Sequence, residues 1–546
     1  MALYSVNSRF AFYSSLSFKE ALLADKPAPS LLRSSSTVAS FTMVSRVLGL
    51  IRDIVLARFI GSGDGADAFF VAFKIPNFMR RLFAEGAFAQ AFVPVLSEYR
   101  SQGSHEAVKA LLDRVAGALG SILICVTVLA VVGAPLVAAI FAPGFMGDSV
   151  KFDLTADLIR ITFPYLMLVS LTGFAGAILN SYDRFAVPAF TPVLLNVSLI
   201  SAAILASSEM AEPVYGLAYG VLAAGFMQLV FQLPFLMRIH LLPSPKIDWQ
   251  DSGVRRILAL MVPALFGVSV SQINLLLDTV LASLLPNGSV SWLYYSDRLS
   301  ELPLGVFAIA ISTVILPNLS RQHASSEEQK FSHTLNWALR LIVLIGAPAS
   351  LALMVLAEPI LTTLFQYGKT TAHDVAMSTL SLRAYASGLL AFMLIKVLAP
   401  GYYARQDMKT PVKIGVIAMV ANMFLNALFV APLYFYFDIG HVGLALATAV
   451  AAYINAYLLY RGLRQRDIFH TEAGWPKWLA KCVLANGAMV VVLLALLDFS
   501  ESWMSGQWWE RSTYLGVVCL LGLLAYVGAL LLSGVRPKDF SVKLNP

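Results

Sequence analysis

Apolar residues run along this chain in blocks of about twenty, separated by short polar and basic stretches, from one end to the other. A block of that length crosses the hydrocarbon core of a bilayer as a helix. Strands of a membrane barrel would alternate apolar and polar positions over about ten residues, whereas these blocks are apolar all round. A bilayer offers no water to the backbone, so such segments must satisfy their own amide groups as helices. Hydropathy places about fourteen spans, at roughly 36–60, 66–96, 115–142, 154–180, 187–208, 214–237, 257–285, 290–319, 336–360, 375–403, 412–432, 440–461, 477–497 and 512–534. The expected fold class is an all-α polytopic membrane protein. The second and eighth spans are long and contain Pro76 and Pro303. A proline there removes a backbone donor and marks a bend beside a cavity.

The loops set the orientation. Cations follow the even-numbered spans: Arg100, Lys109 and Arg114; Arg184; Arg238, Lys246, Arg255 and Arg256; Arg321, Lys330 and Arg340; Lys409 and Lys413; Arg461, Arg464, Arg466 and Lys477; and finally Arg536, Lys538 and Lys543. After odd-numbered spans stand only Lys151, Lys369 and Arg511. Positive loops stay on the cytoplasmic side, so both termini are expected there and the number of spans is even. Trp503, Trp508 and Trp509 fall in the last outer loop, where an interfacial aromatic belt belongs. Residues 1–34 are interrupted by Arg9, Lys19, Glu20, Asp25 and Lys26 and have no signal-peptide core; they read as a poorly ordered cytoplasmic extension.

Composition agrees. The chain is 58% hydrophobic and 13% charged, against about 25% charged in soluble domains. The net charge of +7 is accounted for by the loops and calls for no nucleic acid. Cys125, Cys482 and Cys519 each lie in an apolar block without a CxxC neighbour, which implies no disulfide framework.

The chain repeats itself. Asp53-Ile-Val-Leu-Ala57 resembles Asp278-Thr-Val-Leu-Ala282, at an offset of 225 (278 − 53). Pro94-Val-Leu-Ser97 resembles Pro317-Asn-Leu-Ser320, and the loop around Asp183 ending at Pro188 resembles that around Asp407 ending at Pro411, both at an offset of 223 (317 − 94, 411 − 188). Near-constant offsets point to a duplicated unit of six spans. Six is even, so the copies are parallel repeats around a central cavity. The expected organisation is an extension at 1–34, an N-lobe at 35–240, a C-lobe at 241–465, and two further spans with a tail at 466–546.

Charge inside membrane spans is costly, about 2.5–3.5 kcal/mol per side chain on insertion scales, and is kept where it faces a wet cavity. Ser45–Glu85 carries Arg46, Arg52, Asp53, Arg58, Asp67, Lys74, Arg80, Arg81 and Glu85. Arg46 and Asp53 share a helical face; Arg52 points elsewhere on an ideal helix, and Gly49 permits a distortion between them. Arg58 and Arg81 could equally snorkel or pair with Asp67 and Glu85. A second cluster, Asp297, Arg298 and Glu301, places two carboxylates where they could hold the guanidinium toward an anion, or form a purely structural pair. Lys396 stands alone in FMLIKVLAP, either lining the cavity or satisfied structurally. Arginine forks suit phosphate, so the cargo is expected to be anionic and phosphorylated. Asp278, Asn422, Asn426 and Thr448 offer hard oxygens for a monovalent coupling cation, or act as polar glue between helices. Motifs of zinc peptidases, serine hydrolases and P-loop enzymes are absent. A transporter, not an enzyme, is expected, with no cofactor.

SRVLGLIRDIVLARFIGSG, DAFFVAFKIPNFMRRLFAEGAFAQAFVPVLSEY, VSWLYYSDRLSELPLGVFAIAISTVILPNLS, FQYGKTTAHD and KVLAPGYYARQDMKTPVKI closely resemble the MurJ (MviN) family of lipid II flippases, from about Leu32 to near the C-terminus. The resemblance implies the MOP-exporter fold, two six-helix lobes plus two helices, in the bacterial inner membrane. It implies lipid II, undecaprenyl-pyrophosphate-linked disaccharide-pentapeptide, as cargo moved from the inner to the outer leaflet. It implies Arg46, Arg52, Asp53 and Arg80 as N-lobe site residues, Asp297, Arg298, Glu301 and Lys396 as C-lobe site residues, and Gly49 and Ala57 as small cavity positions. Membrane lipids and the cell-wall synthesis machinery are the expected partners. A groove by the last two helices would take the lipid tail. Membrane potential or a monovalent cation could drive resetting. A flippase for another polyprenyl-linked oligosaccharide and a cation-coupled multidrug exporter of the same fold are the alternatives.

Overall fold

The computed structural model describes residues 31–210, 212–498 and 506–536. Most of the expected N-terminal extension, Trp503, Lys538 and Lys543 lie outside the described residues. Among these residues the structure is helical, without a strand. The N-terminal half comprises α1 (Leu31–Ile60), α2 (Asp64–Met79), α3 (Ala89–Gln102), α4 (His105–Val132), α5 (Ala134–Phe141), α6 (Ser149–Thr162), α7 (Tyr165–Ser181), α8 (Ala186–Glu209) and α9 (Pro213–Arg238). The second half comprises α10 (Ser252–Ser283), α11 (Ser289–Pro303), α12 (Ile309–Ala324), α13 (Glu328–Val355), α14 (Ala357–Phe365), α15 (Ala372–Tyr403), α16 (Lys409–Phe437) and α17 (Gly440–Gln465). Then come α18 (Trp475–Asp498) and α19 (Trp508–Leu532). Helix α1 begins at Leu31, so residues 31–34 belong to the first helix and not to the extension.

Eleven helices among the described residues are long and apolar enough to cross a membrane, fewer than the fourteen spans placed by hydropathy. α1, the α2–α3 rod and α10 are outside that set, and the first two carry the charges of the Ser45–Glu85 stretch.

The duplication has structural counterparts. Pro76 and Pro303 each precede a π-helical segment, Arg80–Phe88 and Leu304–Ala308, whose starts are offset by 224 (304 − 80). A π turn widens the helix and recurs at functional sites. Two helix ends repeat as well. Asp183 and Gln406 both have φ 60°. The following amides reach back five residues, Arg184 N to Leu179 O at 2.9 Å and Asp407 N to Tyr402 O at 3.1 Å. This is the left-handed stop that satisfies the last carbonyls of a helix.

Helices in a bilayer associate by close packing of small side chains, because lipid is as apolar as leucine. α15 meets α17 this way: a Cβ on Gly388 would lie 2.6 Å from Ala449 Cα. One apolar core runs through both lobes. A second belongs to the N-lobe, yet takes in Val254 and Ile257 of α10. The linker before α10 is also bound there: Ser244 N donates to Asp113 Oδ1 at 2.7 Å, Lys246 N donates to Asp113 O at 2.9 Å, and Arg114 pairs with Asp251 at 2.7 Å. The start of α10 thus packs on the N-lobe, and its end touches both lobes: Gly144 N donates to Ser283 Oγ at 3.2 Å, while Asp278 accepts from Asn426 and Thr448 at 3.3 Å.

The lobes are sealed together at one end. Asp67 of α2, 1% exposed, caps α11 from the opposite lobe. It accepts from Gly288 N at 2.8 Å, Ser291 N at 3.0 Å and Ser291 Oγ at 2.6 Å. Lys151 balances its charge at 3.1 Å, so Asp67 does not pair with Arg58, which is exposed. Beside it, Lys369 N donates to Arg58 O at 3.0 Å and Tyr295 donates to Gly61 O at 3.0 Å. The turn at Gly61 has φ +68°, and a Cβ there would lie 2.8 Å from Lys369 O; only glycine suits both demands.

Candidate functional site

Between the lobes lies a cavity of about 690 Å3. Helical spacing puts Arg46, Gly49 and Asp53 of α1 on its wall. Arg52 also lines it, although an ideal helix sends it elsewhere. α1 is unbroken through Gly49, so no distortion is responsible. Instead Asp53 folds the guanidinium back: Arg52 Nε and Nη2 donate to Asp53 Oδ1 at 3.0 and 2.7 Å. Arg52 Nη1 donates to Asn196 Oδ1 at 3.0 Å, and Nη2 donates to the Tyr294 hydroxyl at 3.2 Å. Arg52 is 6% exposed and Asp53 2%. Burial of such a pair is tolerated because every strong donor has an oxygen to meet.

Asp53 also serves the other lobe. The Tyr294 hydroxyl donates to Asp53 Oδ1 at 2.9 Å, and Arg298 Nε lies 3.7 Å from Asp53 Oδ2. Arg298 Nη1 donates to Glu301 Oε2 at 3.1 Å, and its guanidinium lies 5.2 Å over the Tyr294 ring. Of the two carboxylates expected to hold Arg298, Glu301 does so. Asp297 lines the cavity beyond ion-pair distance, and Asp53 takes its place. Arg80 and Arg81 line the cavity from the π segment; Lys74 joins them from α2. Glu85 is outside the described side chains.

Two expected positions are elsewhere. Lys396 is exposed and does not line the cavity; an isolated cation in an apolar run does not reveal which face of α15 looks inward. Ala57 is fully buried in the core. Its carbonyl is a docking point for a loop: Thr370 Oγ1 donates to Ala57 O at 2.7 Å.

The structure brings the oxygen-rich constellation together. Asn426 Nδ2 and Thr448 Oγ1 each donate to the Asp278 carboxylate at 3.3 Å, and Asn422 Nδ2 donates to Asn274 Oδ1 at 2.8 Å. The amide oxygens of Asn422 and Asn426 are buried without a donor. A carboxylate with two unpartnered neutral oxygens fits a hard monovalent cation. Among the described residues no group of three or more His, Cys, Asp or Glu side chains gathers as a transition-metal site would require.

Asn196 and Tyr294, which orient Arg52, were not singled out by the sequence. Tyr294 had a detectable signal, since it sits four residues before Arg298 on one helical face. Asn196, 144 residues from Arg52, had none.

Parallel six-helix repeats around a charged central cavity define a polytopic membrane protein of the MOP-exporter fold. A multidrug-resistance transporter of the MATE family of the MOP superfamily, in its inward-facing conformation, shares that fold, with a TM-score of 0.64 and 14% identity over 79% of this chain and 97% of that one. The chain itself belongs to the lipid II flippase MurJ family, whose model matches residues 56–514. A probable lipid II flippase MurJ of Vibrio cholerae is 50% identical, covering 93% of this chain and 97% of the relative. That of Haemophilus influenzae is 48% identical, covering 92% and 100%. A solved lipid II flippase MurJ in an inward closed conformation matches with a TM-score of 0.75 and 28% identity, over 90% of this chain and 97% of that one.

Proposed function

We propose that this chain is a transporter that moves lipid II from the cytoplasmic to the outer leaflet of the bacterial inner membrane by alternating access, with both termini cytoplasmic. The observation that carries this is the sharing of one carboxylate, Asp53, between Arg52 of one lobe and Arg298 of the other. A diphosphate has the charge and the acceptors to replace Asp53 as the counter-ion of Arg298. Once it does so, the lobes can part at the sealed end while Arg298 keeps a full counter-ion. Cargo is thereby a condition for opening. The head group leaves on the outer side while the polyprenyl tail stays in lipid.

The test is reconstitution of the full chain with labelled lipid II, scoring the leaflet by accessibility. Wild type translocates; Arg298→Ala does not, at unchanged membrane abundance. Normal translocation by Arg298→Ala would remove the proposal, and selective movement of a different polyprenyl-linked sugar would reassign the cargo.

A second reading concerns coupling. The unpartnered oxygens around Asp278 favour a monovalent cation held in the C-lobe during resetting. Asp278, Asn422, Asn426 and Thr448 would be its ligands, and the bound ion would add positive charge to a lobe wall that is otherwise acidic. Membrane potential adds about 2.3 kcal/mol per charge per 100 mV. A sodium or lithium gradient that leaves the initial rate unchanged would exclude this coupling.

A further inference from the structure

The arginines of the cavity are fixed in different ways. Arg52 has Asp53, Asn196 and Tyr294; Arg298 has Glu301 and Asp53. Arg46 has no such partner among the described residues, although it lines the same cavity. It reaches across the seam and lies on Gly305 of the opposite lobe. A Cβ placed on Gly305 would be 1.7 Å from Arg46 Nη1, 2.5 Å from Cζ and 2.8 Å from Nη2. Those are its three nearest heavy atoms, and all belong to Arg46.

Gly305 is the second residue of the π segment Leu304–Ala308, four residues past Glu301. Its backbone is not left-handed, so its conformation does not call for glycine. Helix propensity argues against one, since alanine is preferred in a helix interior. What requires the missing side chain is the approach of the guanidinium. A planar fork needs more room than an ammonium and holds its donors at fixed angles, so a notch in the facing helix sets where those donors point.

We infer that Gly305 is a positioning residue for the diphosphate: its missing side chain lets Arg46 cross between the lobes and present its fork to the cargo beside Arg298. This rests on the lipid II reading above. Arg46 is thereby kept unpaired yet localised, ready for an anion without a carboxylate to be displaced first. The contact spans both lobes, so it exists only while they are close at this level. Arg46 then supplies its donors in the closed arrangement and withdraws them as the lobes separate.

The experiment compares full-length wild type, Gly305→Ala, Arg46→Lys and the double variant in detergent, each heated with and without inorganic pyrophosphate as probe. Without the probe, Gly305→Ala melts with wild type, because the added methyl meets only the movable end of an arginine. With the probe it binds about tenfold more weakly or worse, the scale of one lost charge-assisted contact. In the Arg46→Lys background, Gly305→Ala costs nothing further, because the fork that needed the notch is gone. Unchanged pyrophosphate binding by Gly305→Ala would overturn the inference. So would an equal loss in both backgrounds, which would assign glycine a packing role. If wild-type proteoliposomes leave labelled lipid II in place, the cargo assignment falls, while the pyrophosphate cycle still decides on the notch.

Discussion

The two halves of the molecule keep one pocket and fill it differently. In the first, Asp53 and Asn196 enclose the guanidinium of Arg52. In the second, Asp278 matches Asp53 at an offset of 225 (278 − 53), and Asn422 matches Asn196 at 226 (422 − 196). Asn422 is buried and Asp278 half-buried, and both belong to the oxygen-rich constellation of their lobe. The position matching Arg52 at that same offset is Leu277 (277 − 52). One half carries its cation on its own backbone; the other presents an acid and amide oxygens with no built-in cation. The cavity walls diverge in the same sense. Arg46, Arg52, Lys74, Arg80 and Arg81 face Asp53 alone on the N-lobe wall, while Asp278, Asp297 and Glu301 face Arg298 alone on the C-lobe wall. Taken together the two walls carry more cations than carboxylates, but the excess lies on the N-lobe wall and the C-lobe wall is acidic. Duplication thus yields one wall suited to an anion and one suited to a cation.

The largest effect should come from Arg52→Leu, which gives the first half the residue of the second. Asp53 is left buried without its main partner, costing about 3–5 kcal/mol and abolishing translocation. Denaturation and lipid II accessibility read the two effects, and a variant that still translocates would break the comparison. Next is Asp278→Asn. Wild type should be stabilised by sodium or lithium, by about 2.7 kcal/mol at one hundred times Kd, and the variant should not be. Equal stabilisation of both would show that the second pocket takes no ion.

Tyr294→Phe sharpens the join between the halves. It removes one hydroxyl that bonds both Asp53 and Arg52, and should cost about 1 kcal/mol with a faster opening of the sealed end, read by hydrogen exchange. The smallest contrast concerns Asp407 and the residue that matches it in the first half, Arg184, at an offset of 223 (407 − 184). Asp407 accepts from Thr410 N at 3.0 Å, Thr410 Oγ1 at 2.6 Å and Arg466 Nη1 at 2.6 Å. Arg184 is exposed. Asp407→Asn removes the carboxylate that Arg466 and the Thr410 hydroxyl bond and should cost about 1 kcal/mol, and Arg184→Ala next to nothing. The Thr410 hydroxyl, with Arg466, holds the Asp407 carboxyl down to about 2. A lowered value stabilises fully above the unfolded carboxyl range, about 3.9, and that stabilisation fades as pH falls through about 2. Melting between pH 5 and 2 should narrow the gap between wild type and Asp407→Asn.

Much of this was legible in the chain. The charges of Ser45–Glu85 and of the Asp297–Glu301 cluster stand out against an apolar background, because the bilayer makes each one expensive. The repeat was legible because prolines and helix stops must keep their spacing. What was not legible depended on length and direction of side chains. A helical wheel misplaces Arg52 because it tracks Cβ and not the end of a long side chain. It gives no direction for Lys396. Ala57 is tied through its carbonyl to a loop more than three hundred residues away. Gly305 matters through a contact that only the assembled lobes make.

Asp67 ends a helix that it does not belong to. The first turn of α11 has its amides satisfied by a carboxylate from across the seam. Rupture at that end exposes those amides to solvent and loosens the anchoring of the rod that bears Arg298, about two turns further along. Whatever draws Asp67 out of that turn also slackens the anchoring of Arg298.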